Sequence, residues 1–222
     1  SSQFDPLDVT QYTPEELRAG VEAAQAWGTY VTVHAYTPEA IGAAIEAGVK
    51  CIDHGQLADE ASAKWMAENG VWWSMQPFLD DEYANPQPAG SPSRAKQIEV
   101  SNGTDRAYEL AKRYKVKLAW GTDILFDPVA ARNQGAQLAK MVRWFEPEQV
   151  LRMATHDNAQ LLALSGKRNP YPGALGVVEE GALADLLLVE GDPIENISIL
   201  ADPINITVIM KDGTIFKNSS DL

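Results

Sequence analysis

Three polar residues of this 222-residue chain share one kind of address: His34, His54 and Asp123 each stand at the end of a short run rich in β-branched and aromatic residues. His34 closes TYVTVH, His54 closes VKCIDH with Gly55 behind it, and Asp123 follows VKLAW through Gly121 and Thr122. Neutral imidazoles are common ligands of divalent metals, and a carboxylate beside a metal-activated water can take its proton and hand it to a leaving group. The triple therefore suits metal-assisted hydrolysis. One histidine at a strand end is more often a satisfied polar residue than a ligand. Two in matching positions, with a carboxylate at a third, shift the balance toward a shared site.

The segments between these residues must supply the scaffold. Thr13, Pro14 and Glu16 offer a helix N-cap, a first-turn proline and a capping-box partner, and Leu17, Val21 and Ala24 recur at helical spacing until Gly28. The strand TYVTVH follows. Thr37 and Pro38 then open a helix with Ile41, Ala44 and Ile45 on one face, and Gly48 ends it before VKCIDH. A third round runs from Asp59 through Trp65 and Met66 to Gly70 and the strand VWWSMQ. Three βα units in succession predict parallel strands. The C-terminal ends of parallel barrel strands converge on one mouth, which would bring His34, His54 and Asp123 together.

The rhythm breaks at residues 77–93, PFLDDEYANPQPAGSPS, whose proline, glycine and acidic content predicts a long loop. A helix is expected from about Arg94 to Tyr114, another over RNQGAQLAKMVRWF, and two short ones over PEQVLRMATHDNAQLLAL. From Gly173 the texture changes to short β-rich segments separated by Gly-Asp and Asp-Gly turns. The expected organisation is an α/β domain over residues 1–172 and part of a small β domain over 173–222.

Composition bounds the alternatives. With 45% hydrophobic and 22% charged residues, the chain can bury a substantial core. Its net charge of −13, with lysine and arginine scattered singly, argues against a nucleic-acid partner. No apolar run approaches the roughly 18 residues of a membrane span. Cys51 is the single cysteine, so no intrachain disulfide forms and the compartment stays open.

HAYT at 34–37, IDHG at 52–55 and WGTD at 120–123 resemble the ends of the fifth, sixth and eighth barrel strands of the amidohydrolase superfamily. The likeness is to its Xaa-Pro dipeptidase-like and imidazolonepropionase-like branch. GALGVVEEGALADLLLVEGDPIENISIL is similar to that family's return to the small β domain flanking the barrel. The resemblance implies a metal-dependent hydrolase of amide or peptide bonds, with a dipeptide-like carboxylate as the expected small-molecule substrate. It also implies two divalent ions in the parent enzyme, zinc first, with His34 and His54 as ligands and Asp123 as ligand and proton shuttle. By the resemblance, the family's His-x-His pair and metal-bridging lysine would both lie upstream of Ser1, and no HxH occurs in the chain. The expectation is therefore an incomplete (β/α)8 barrel, strands five to eight, belonging to a longer protein. The chain alone is expected to be inactive and to hold metal poorly. Its open sheet edges should be covered by a second copy or by an upstream segment of the same protein.

Tyr36, two residues past His34, could hydrogen-bond a substrate carbonyl or carboxylate. Arg132 and Asn133 begin a helix after the Asp123 loop and are candidate substrate contacts, against a solvated helix start. His156, in ATHDNAQLL, reads better as a capping or surface residue than as a ligand. Cys51, inside a strand, reads as a small buried hydrophobe. Neighbours Trp72 and Trp73 should face opposite sides of their strand.

Overall fold

A computed structural model describes residue 4 and residues 6–125 and 127–220. Contacts group the chain into two compact units, Ser1–Gly121 with Leu164–Arg168, and Thr122–Ala163 with Asn169–Leu222.

The first unit alternates helices and strands: α1 (Pro14–Ala26), β1 (Thr32–Ala35), α2 (Pro38–Ala47), β2 (Cys51–His54), α3 (Glu60–Glu68), β3 (Trp72–Met75), α4 (Pro92–Tyr114) and β4 (Lys117–Trp120). The expected punctuation sets the helix ends. Thr13 and Glu16 form a complete capping box on α1. Thr37, Asp59 and Ser91 each accept a backbone N–H at the start of α2, α3 and α4. Gly48 stops α2 in the left-handed conformation, φ 96°, where glycine bears no Cβ penalty.

Each strand is only four residues long. All three pairings are parallel, in the order β1-β2-β3-β4. One face of this sheet carries Ala35, Ile52, Trp73 and Met75, all buried. With Ile41, Ala63, Met66, Ala107 and Tyr108 from the helices, these make the core. Fully burying one such large apolar side chain contributes roughly 1.5–3 kcal/mol. The opposite face carries Thr32 and His34, which are exposed, Asp53 and Ser74, which are half-buried, and the buried Cys51 and Trp72. Trp72 and Trp73 do point to opposite faces: Trp72 shares its face with its register partner Lys117, whose ammonium lies 5.7 Å from the ring.

The loop between β3 and α4 is tied down rather than loose. Arg94 donates to both carboxylate oxygens of Asp80, at 2.7 and 2.8 Å. Gln97 bridges it to the backbone of Asn85 and Gln87, and the Thr104 hydroxyl donates to the Phe78 carbonyl at 2.8 Å. Helix α4 also approaches the backbone after β2, since a Cβ on Gly103 would sit 2.2 Å from the Gln56 carbonyl oxygen.

The second unit holds α5 (Gln134–Ala139), α6 (Pro147–Arg152), α7 (Asn158–Leu162) and an antiparallel sheet of β5 (Leu186–Val189), β6 (Ile206–Lys211) and β7 (Thr214–Asn218) in the order β5-β6-β7. The single helix expected over 132–145 is instead α5 flanked by two 3-10 turns, Ala130–Asn133 and Lys140–Arg143. The two short helices expected next are α6 and α7, joined by a π-helical turn at Met153–Asp157. Asp212 and Gly213, both at positive φ, turn β6 into β7, as a two-residue hairpin demands. The sequence-drawn boundary at 172/173 and this division differ over residues 122–163 and 169–172. In the first of these stretches α5 packs on the 3-10 turn Ile197–Ala201 of the β segment, and Gly135 comes so close to the Leu200 carbonyl that no Cβ fits. No helix among the described residues is long and apolar enough to cross a membrane.

Candidate functional site

His34 lies next to the end of β1, in register with Asp53 of β2, so its imidazole stands on the polar face of the parallel sheet. The Thr32 hydroxyl donates to the Asp53 carboxylate across the same two strands. By simple alternation His54, one residue beyond Asp53, should face the other way, into the helix layer. It does not. His54 has φ 75° and Gly55 φ 74°, and a positive φ is uncommon for a residue other than glycine and concentrates at functional sites. The turn brings the His54 imidazole round to His34, with Nε2 at 2.7 Å from His34 Nδ1 and ring centroids 4.8 Å apart.

Several contacts hold that turn. Trp73 donates its indole N–H to the His54 carbonyl at 2.7 Å, and Gly55 N–H donates to Ala35 O at 2.8 Å. A Cβ at Gly55 would lie 2.4 Å from Trp73 Nε1, so the position requires glycine for space as well as for φ. His54 is 3% exposed, and its imidazole is enclosed by neighbouring side chains. It stacks on Tyr36 at 4.7 Å with an interplanar angle of 7°, has Phe78 at 6.0 Å, and meets Gln76 Oε1 at 2.7 Å through Nδ1.

Two facing imidazole nitrogens are the donor chemistry that zinc and similar divalent ions take. Two nitrogens on one zinc ion, each about 2.0–2.1 Å from it, stand roughly 3.3 Å apart. At 2.7 Å the pair is instead closed on itself by a hydrogen bond. Catalytic zinc ordinarily takes three protein ligands. Among the described residues, no group of three or more His, Cys, Asp or Glu side chains is gathered closely enough to hold an ion. The pair thus fits part of a metal centre by donor type and falls short by number.

The other candidates divide between the units. Tyr36 joins the histidine pair. Asp123 is exposed, in the left-handed region with φ 55°, three residues past the end of β4 and in the second unit. Arg132, exposed, and Asn133, half-buried, lie in the 3-10 turn that opens α5 of that unit. Neighbouring Thr122 and Gln134 hydrogen-bond through their side chains at 2.9 Å. His156 sits in the π-helical turn with Nδ1 2.9 Å from Asp157. Cys51 is buried in β2, and burial pushes its thiol up to about 12. Sequence reasoning passed over Gln76 and Phe78. The signal for Gln76 was present: it follows the third strand of the repeat at the place where the first two carry histidines.

Residues 1–216 match the model of the amidohydrolase family. The chain is 30% identical over 218 residues to the ochratoxinase of Aspergillus niger, covering 97% of this chain and 44% of that protein. Among solved structures it resembles a prolidase complexed with N-methylphosphonate-L-proline, at 32% identity and TM-score 0.85, covering 97% of this chain and 52% of that one. It also resembles a Xaa-Pro dipeptidase with bound methionine in the active site, at 31% identity and TM-score 0.78, covering 94% and 50%. The chain spans about half the length of these relatives. With the parallel sheet, the strand-end histidines and these likenesses in place, the chain belongs to the amidohydrolase family, and its relatives include dipeptidases.

Proposed function

We propose that this chain is the part of a metal-dependent amidohydrolase that carries barrel strands five to eight, and that the whole enzyme cleaves the amide or peptide bond of a small, dipeptide-like carboxylate. The observation that carries the reading is the 2.7 Å approach of His34 Nδ1 and His54 Nε2 at the ends of adjacent parallel strands. The likeness to a prolidase and a Xaa-Pro dipeptidase supports the substrate class. His34 and His54 would hold a divalent ion, zinc first, and Asp123 would hold or adjoin a second. Such an ion, when bound, polarises the substrate carbonyl and makes water acidic enough to serve as nucleophile near neutral pH. Asp123 would serve as the proton shuttle, taking a proton from the attacking water and passing it to the departing nitrogen. The Tyr36 hydroxyl orients the substrate carbonyl or carboxylate, and Arg132 and Asn133 bind its carboxylate end.

A second reading applies to the 222 residues in isolation: a non-catalytic, self-associating piece. In that reading β1 and β4, the edges of the four-stranded sheet, are covered by another copy or by a further segment of the same protein.

Asp123→Asn in the longer protein tests the mechanism. The amide cannot accept the proton, so kcat is expected to fall by at least about 10²-fold with little change in KM. Turnover within a few-fold of the parent would remove Asp123 from the chemistry. Metal analysis of His34→Ala and His54→Ala tests the ligands, and undiminished metal content in both would remove the pair from the metal centre.

A further inference from the structure

Gln76 is 4% exposed, and its amide is oriented by its neighbours. Its Nε2 lies 3.3 Å from the carbonyl oxygen of Ser74, which can only accept, so the nitrogen end of the amide is turned to Ser74. The oxygen end, Oε1, therefore faces His54 Nδ1 at 2.7 Å. An amide oxygen also only accepts, so Nδ1 of His54 carries the hydrogen. In a neutral imidazole the lone pair is then on Nε2, the atom that His34 Nδ1 meets at 2.7 Å. His34 must donate. Gln76 is itself held, since its backbone carbonyl accepts from the side chain of buried Gln56 at 3.2 Å.

We propose that Gln76 is a positioning residue, fixing His54 in the Nδ1–H tautomer so that the Nε2 lone pair is presented to the polar face of the sheet. Rotating the imidazole by half a turn would put carbon opposite Oε1 and lose the bond. Tyr36, stacked nearly parallel at 4.7 Å, fixes the plane of the ring but not which edge meets Gln76. The use of that lone pair rests on the reading of His34 and His54 as metal ligands; the tautomer does not. Ligating histidines ordinarily give their other N–H to an oxygen acceptor, and loss of that partner typically costs 10–100-fold in metal affinity. An order of events follows. His54 already offers Nε2, whereas exposed His34 has its Nδ1 proton on that lone pair, so His34 is the member whose proton must move before both nitrogens can bind an ion.

The test is nitrogen NMR of the 222-residue chain labelled at the imidazoles, at a pH where they are neutral. The chain has three histidines, so His34→Gln and His156→Gln assign the signals. The expected result is a protonated Nδ1 and an unprotonated Nε2 at His54. Gln76→Leu should mix or reverse the tautomers, and Gln76→Glu, which keeps an acceptor oxygen, should restore the Nδ1–H form. In the longer protein, zinc affinity, read by competition with a chromophoric chelator, should fall about 10–100-fold in Gln76→Leu and recover in Gln76→Glu. An Nε2–H tautomer in the parent chain overturns the proposal even if Gln76→Leu does not fold. So does a folded Gln76→Leu with the Nδ1–H tautomer unchanged. If Gln76→Leu releases the tautomer while His54→Ala leaves the metal content of the longer protein undiminished, the positioning role stands and the metal reading falls.

Discussion

The indole N–H of Trp73 donates to the carbonyl oxygen of His54 at 2.7 Å, and the ring it belongs to also fills the space beside Gly55 where a side chain would stand. One buried residue thus closes both halves of the left-handed turn that aims the His54 imidazole at His34.

The first prediction is that Trp73→Phe and Gly55→Ala both destabilise and do not add. Trp73→Phe leaves the His54 carbonyl without its donor, a loss of about 1–3 kcal/mol for a buried group, beyond the loss of ring volume. Gly55→Ala must hold φ 74°, costing roughly 1–2 kcal/mol, and must also displace an indole that is fully buried and cannot swing away. In the Trp73→Phe background that second part is relieved, so Gly55→Ala should cost less there. Urea denaturation of the four proteins of the cycle gives the coupling, and strict additivity would show that the indole does not brace the turn.

Gly103 gives a prediction in which two effects oppose. Alanine inside a helix is favoured over glycine by about 1 kcal/mol. Its Cβ, however, would lie 2.2 Å from the backbone oxygen of Gln56, and backbone cannot rotate aside as a side chain can. Overpacking of this kind costs typically about 1–3 kcal/mol, so Gly103→Ala should be a net loss. A shift of the urea midpoint to higher concentration would mean that α4 does not approach the Gln56 carbonyl this closely.

Cys51 should be chemically silent in the folded chain. It is 1% exposed, and burial first, then the charge of Asp53, raise its thiol to about 12. Against an ordinary thiol that lowers the reactive thiolate fraction near neutral pH by about 10³-fold. A thiol-specific reagent should label Cys51 promptly in denaturant and at least about 10²-fold more slowly in buffer, where access also needs local opening. Equal rates would place Cys51 outside the core.

What was legible in the sequence, and what was not, follows the range of the interactions involved. Thr13 with Glu16, Thr37 with Pro38, and Gly48 act within one helical turn, so their neighbours alone place α1 and α2 and the strands between. The place of His34 and Tyr36 at the end of β1 follows from the same local signals. The side His54 faces does not: alternation with Cys51 and Ile52 sends it the wrong way, and the turn that corrects it depends on Trp73, nineteen residues on. Gln76 as partner of His54, and Gly103 as the point where α4 meets the β2 loop, are also contacts between distant segments. The break of the expected 132–145 helix into 3-10 turns around α5 has its visible neighbour, Leu200, more than sixty positions away. Local chemistry therefore located the elements, and long-range contacts decided how the site is aimed.

The cap of α3 yields a prediction that depends on pH. Asp59 Oδ1 accepts from the Ser62 backbone N–H at 2.8 Å and from the Ser62 hydroxyl at 2.7 Å. The backbone bond first, then the hydroxyl, hold the Asp59 carboxyl below its ordinary range by favouring the ionised form. A carboxyl lowered on folding contributes stability that is present in full above its unfolded-state pKa and is lost as pH falls through the folded-state pKa. Asparagine caps a helix about as well as aspartate but does not titrate, and alanine at an N-cap costs about 1 kcal/mol. At neutral pH, Asp59→Asn should therefore lie close to the parent chain, and Asp59→Ala about 1 kcal/mol below it. In strong acid the parent should lose ground to Asp59→Asn and draw toward Asp59→Ala, because protonation removes the charged acceptor. Urea midpoints of the three chains compared at neutral and strongly acidic pH measure these differences, with the acid response of every other group cancelling in each comparison. A gap between the parent and Asp59→Asn that stays constant across that span would show that the carboxylate of Asp59 is not what caps α3.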